Sequence, residues 1–136
     1  FQLAELPIIK NIFTIVTPKF VARSSVENVY ADPSLVSDSL VDRYFELTLR
    51  AGNRQAFVDR LAVEHDPEDH KDIVTISQPT LILWGDKDAL IPLEMAHRFH
   101  EDLRQSTLVV LKEVGHVPME EQPFESLKAV RAFINR

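Results

Sequence analysis

The sequence predicts an α/β fold: a helical region over residues 1–72, then a parallel strand–helix–strand–helix unit over residues 73–136. Three observations predict it. Residues 80–84 (Thr-Leu-Ile-Leu-Trp) and 107–111 (Thr-Leu-Val-Val-Leu) are short continuous apolar runs, the pattern of parallel strands buried on both faces. Each run is followed by a proline, Pro92 or Pro123, that opens a stretch of helical periodicity, so strand and helix alternate as in a right-handed crossover unit. Residues 1–72 show apolar positions at helical spacing instead.

Taken in order, Leu3, Leu6, Ile9, Ile12, Phe13 and Val16 predict a first helix. Thr17-Pro18 ends it and supplies an N-cap and first-turn proline for a second helix over about 18–30. Asp32-Pro33-Ser34 is turn chemistry. Ser37 is expected to cap a third helix with Leu40, Tyr44, Phe45 and Leu47 on its apolar face, stopped by Gly52 just past Arg50. Asn53 is expected to cap a fourth helix carrying Ala56, Phe57, Leu61 and Val63, and residues 65–72 read as a polar loop or a short solvated turn. Beyond the first strand, Pro92 opens a helix to about Leu103. Phe124, Leu127, Val130, Phe133 and Ile134 make one stripe of the final helix.

Two parallel strands are too few for a stable sheet. The sheet edge is therefore expected to pair with another segment or with a second copy of the chain. The helical region reads as an insertion into a larger fold, and the start at Phe1 rather than Met suggests that preceding sequence is missing.

Composition narrows the function. Apolar residues make up 45% and charged residues 26%, an ordinary globular balance. The net charge of −6 argues against a nucleic-acid partner and offers no polybasic patch to an anionic membrane. There is no cysteine, which excludes disulfides, thiolate catalysis and cysteine-bound zinc and fits a cytoplasmic location. No apolar run reaches the roughly 18 residues of a membrane span. Residues 1–20 contain Glu5, Pro7, Lys10 and Pro18 and do not read as a signal peptide.

Of only three glycines, Gly85 and Gly115 fall in two motifs. The first is Leu83-Trp84-Gly85-Asp86-Lys87-Asp88, followed by Pro92. Acidic residues past the C-terminal end of a buried strand stand where open parallel sheets place their reactive groups. On local grounds, solvated or helix-capping aspartates are an equal reading. The second is Val114-Gly115-His116-Val117-Pro118, followed by Glu121 and Pro123. If the strands are adjacent and parallel, both loops leave the same edge, and an aspartate there can accept a hydrogen bond from the imidazole. That bond fixes the tautomer and supports the charge formed when the ring takes a proton.

Together the motifs resemble the C-terminal signature of the α/β-hydrolase superfamily. Gly85, Asp88 and Pro92 match G-x-x-D-x-x-x-P, and Gly115, His116, Glu121 and Pro123 match G-H-x-x-x-x-E-x-P. The resemblance implies the C-terminal part of that fold: a helical cap over residues 1–72, then the last two strands with the acid and the histidine. It implies Asp88, not Asp86, as the triad acid and His116 as the general base. Gly85, Gly115 and Glu121 would be structural support, with Glu121 ordering the loop or capping the last helix. Trp84 reads as core packing. The family's nucleophile elbow, G-x-S-x-G, occurs nowhere in the chain, so no serine here is assigned as nucleophile.

The implied activity is that of a serine-type hydrolase acting on a carboxylic ester with an apolar group. No cofactor is expected, and this chain alone should be inactive. The same acid and histidine would serve a carbon–carbon bond hydrolase, a dehalogenase or an epoxide hydrolase. A truncated binding or assembly module without catalysis is the competing class. No metal site is expected: His65, Asp66, Glu68, Asp69 and His70 lack a familiar ligand spacing, and His97 and His100 lie on a polar helix face.

Overall fold

The computed structural model describes residues 18–63 and 68–136. The first predicted helix, carried by Leu3 to Val16, lies outside them, as do His65 and Asp66. The described residues divide into two compact units. One takes the chain up to Val26 and again from Val36 to 63; the other takes Glu27–Leu35 and the chain from 68 onward.

The first unit is helical. Helix α1 (Lys19–Val29) begins within it and ends in the second unit, burying Ala22 and Val26. Helix α2 (Asp38–Leu49) starts where Ser37 accepts the backbone N–H of Leu40, the predicted N-cap bond. Its deepest residue is Val41, fully buried, whereas Leu40, Tyr44, Phe45 and Leu47 are half-buried. Lys19 pairs with Asp42, and Arg23 with Asp38.

Helix α3 (Asn53–Leu61) corrects one expectation. Its N-cap is Gly52, in the left-handed region at φ 85°, and Asn53 is its first residue. The Asn53 amide turns back and donates to the carbonyl of Leu47 at 2.7 Å, capping the end of α2 instead. The φ requirement at Gly52 took the cap position, because a non-glycine residue is strained there. Of the apolar residues expected to line this helix, Ala56, Phe57 and Val63 are exposed.

The second unit carries the sheet. A short 3-10 helix, Pro33–Leu35, follows the turn in which Asp32 accepts the N–H of Ser34, and a second, Asp69–Thr75, precedes the first strand. Strand β1 (Thr80–Gly85) pairs in parallel with β2 (Ser106–Leu111), Thr80 opposite Ser106 and Gly85 opposite Leu111. Helix α4 (Leu93–Asp102) makes the crossover. Ile82, Ala96 and Leu103 form the buried core, with Ile73, Trp84, Leu93, Phe99 and Leu108 packed against it.

Both-face burial is not reached. In β1 only Ile82 and Gly85 are buried, and every residue of β2 is half-buried. The physical reason is that each strand has a single neighbour among the described residues. The last helix, α6 (Pro123–Ile134), shows the same departure. It buries Ser126, while Phe124 is 84% and Ile134 70% exposed, so its predicted stripe is only partly covered, through Val130 and Phe133.

Candidate active site

The parallel register brings the two motif loops to one edge. Past Gly85, Asp86 N continues the ladder to the carbonyl of Leu111 and Lys87 N donates to that of Val114. The two backbones therefore run in contact beyond the sheet. Neither Gly85 nor Gly115 has a positive φ, so conformational freedom is not what these positions demand. Space is. A Cβ on Gly85 would lie 2.2 Å from the carbonyl oxygens of Val114 and Gly115, and one on Gly115 would lie 2.5 Å from the carbonyl of Val29.

The two aspartates separate cleanly. Asp86 Oδ1 accepts the N–H of Glu113 at 2.7 Å, and its Oδ2 pairs with Lys112 at 3.2 Å. That ties down the turn in which Glu113, at φ 56°, is the single non-glycine residue with positive φ among those described. Asp88 points the other way. Its Oδ1 accepts the N–H groups of Leu90 and Ile91, each at 2.9 Å, and its Oδ2 lies 2.9 Å from Nδ1 of His116.

The Asp88 side chain is 4% exposed and that of His116 is 33% exposed. Burial works to raise the Asp88 carboxyl, but the N–H of Ile91, the His116 bond and charge and the N–H of Leu90 outweigh it. The carboxyl is held below the usual carboxylate range. An ionised carboxylate only accepts, so Nδ1 of His116 must carry the proton. Nε2 has no partner among the described residues. A neutral ring in this tautomer presents its lone pair at Nε2, which is the arrangement a general base requires.

Glu121 reaches back from a short helix, α5 (Pro118–Glu121), that the sequence reading missed. Its Oε1 accepts the N–H of Gly115 at 2.7 Å and its Oε2 the N–H of Ala31 at 2.8 Å. It orders the loop and does not cap α6, whose N-cap residue is Gln122. Trp84 donates to the carbonyl of Ile91 at 3.2 Å and packs with Phe99 in the core. His100 is bonded to Ser106 at 2.7 Å rather than to His97. Among the described residues no cluster of three metal-ligating side chains forms, and no helix is long and apolar enough to cross a membrane.

The structure thus brings an aspartate and a histidine into a hydrogen bond across the C-terminal edge of a parallel crossover unit. The chain belongs to the family described as alpha/beta hydrolase fold, which it matches over residues 10–123. It is 33% identical over 101 residues to the uncharacterized hydrolase YugF of Bacillus subtilis, covering 71% of this chain and 35% of that one. It is 32% identical over 109 residues to the 2-hydroxy-6-oxo-2,4-heptadienoate hydrolase of Pseudomonas putida, covering 76% and 40%. Lipases and methyl ester esterases are among its other curated relatives. The fold matches a solved thermophilic esterase from Thermogutta terrifontis with a TM-score of 0.74 at 23% identity, over 93% of this chain and 47% of that one. The chain thus spans about a quarter to a half of the length of the relatives it matches.

Proposed function

We propose that this chain supplies the acid and the general base of a serine-type hydrolase that cleaves a carboxylic ester bearing an apolar group. The observation that carries the reading is the Asp88–His116 bond at the sheet edge. Nε2 of His116 takes the hydroxyl proton of the nucleophile as that oxygen bonds to the ester carbonyl carbon. The ring, now positive and facing Asp88, returns the proton to the departing alkoxide. Water then repeats the cycle on the acyl intermediate, with His116 again removing a proton.

The nucleophile and the oxyanion donors are not assigned to any residue here, since G-x-S-x-G is absent from the 136 residues. They would come from a segment that completes the sheet beside β1 or β2. Residues 1–72 would then form a lid over an apolar substrate, and the chain by itself would not turn over. One observation favours a second substrate class: the Pseudomonas putida relative is named for a 2-hydroxy-6-oxo-dienoate rather than for an ester.

The test is an assay of the purified chain on a simple aryl ester and on such a dienoate, alone and extended by its upstream coding sequence. The reading expects no turnover by the chain alone, an elbow in the upstream sequence, and ester hydrolysis by the extended polypeptide. Cleavage of the dienoate alone moves the substrate class. Ester turnover by the chain alone, lost in His116→Ala, or an upstream sequence without an elbow, contradicts the reading.

A further inference from the structure

His116 is held from behind by a segment far from it in sequence. Its backbone N–H donates to the carbonyl of Val29 at 2.7 Å. Glu121 bridges the same two pieces of chain, accepting from Gly115 with one oxygen and from Ala31 with the other. The hydroxyl of Tyr30 donates to Glu120 at 2.6 Å, and the Tyr30 side chain is buried. Gly115 itself is explained by this segment: a Cβ there would lie 2.5 Å from the Val29 carbonyl and 2.7 Å from the Ala31 nitrogen.

We propose that residues 29–31 are a positioning strap for His116, with Glu121 as its clamp. The inference rests on the reading of His116 as general base and adds where its precision comes from. The Asp88 bond fixes the ring at Nδ1 but not the backbone from which the ring projects. The strap fixes that backbone by a direct carbonyl acceptor at His116 and a carboxylate acceptor at Gly115. Charge-assisted bonds to a carboxylate are stronger than neutral ones, so a glutamate at 121 is a better clamp than its amide. Glu121→Gln keeps the size of the side chain, but its NH2 group must face one of the two backbone donors. Glu121 and Tyr30 are therefore positioning residues, acting through the His116 backbone.

Nuclear magnetic resonance of the 136-residue chain tests this without requiring turnover. The probe is the Nδ1-bound proton of His116, whose signal Asp88→Asn should abolish as a control. In Glu121→Gln we expect that signal to broaden or vanish, and the Gly115 amide to exchange about tenfold faster, the effect of losing one such bond. A folded Glu121→Gln variant with an unchanged Nδ1 signal overturns the proposal, even if Gly115 exchange accelerates. If that variant does not fold, Tyr30→Phe decides on the same signal: weakening supports the strap and no change overturns it. Absent ester turnover by the polypeptide extended upstream, together with a strap-sensitive signal in the chain, would instead count against the hydrolase reading alone.

Discussion

Asp88 and His116 meet through a single 2.9 Å contact, Oδ2 to Nδ1, while the other Asp88 oxygen is occupied by two backbone N–H groups. By this division of labour the amide should be a poor substitute for the acid. An asparagine whose carbonyl stayed on the Leu90 and Ile91 donors would present its NH2 to His116 and favour the opposite tautomer. In an active polypeptide that carries this chain, Asp88→Asn should lower kcat by on the order of 10³–10⁴ with little change in KM. Steady-state kinetics on an ester substrate check it; a loss confined to KM would place Asp88 in binding rather than in proton transfer.

Stability should fall in acid because of the same carboxylate. Its folded pKa is depressed: burial opposes ionisation, but the Ile91, His116 and Leu90 interactions outweigh it. A depressed acid contributes stability that is fully present above its unfolded value, about 3.9. That contribution is lost as pH falls from there through the lower folded value. Asp86 and Asp32 are depressed too and act in the same direction. The urea midpoint should hold above about pH 5 and drop below about pH 4, with a shallower drop in Asp88→Asn. A midpoint rising toward acid would contradict the assigned direction.

The glycines should differ sharply in tolerance. At Gly85 a Cβ would stand 2.2 Å from two backbone oxygens, which cannot rotate away. Gly85→Ala should therefore cost about 3 kcal/mol or more, as overpacking against backbone does. Gly52 meets nothing within 4 Å, and its φ of 85° is the only obstacle. Gly52→Ala should cost about 1–2 kcal/mol, and Gly52→Asn less, since asparagine tolerates the left-handed region. Thermal or urea unfolding ranks the three; equal costs at 85 and 52 would refute the close-approach argument.

Much of this was legible in the sequence because it is local. The two apolar runs became β1 and β2 within a residue of their expected bounds, and Ser37 made its cap. That an aspartate of the first loop could meet His116 followed from the order of strand, helix and strand, while the choice of Asp88 over Asp86 came from the family resemblance. What the sequence hid depends on partners distant in the chain. Asn53 looks like a cap, yet Gly52 holds that position and the Asn53 amide serves the preceding helix. Glu121 was legible as support for its loop, but its second bond, to Ala31, spans 90 residues and leaves no periodic trace. The short α5 has too few residues to show a helical period. The exposure of Phe124 and Ile134 could not be read from a stripe, because a stripe records what a face prefers and not what covers it.

On the proposed reading His116, held in tautomer by Asp88, is the general base of an ester hydrolase. The most direct test is the turnover number of the nucleophile-bearing polypeptide that contains this chain, with histidine and then with alanine at position 116. A loss of on the order of 10³-fold or more at saturating substrate is expected in a folded variant. Turnover by His116→Ala within a few-fold of the unsubstituted protein would contradict it.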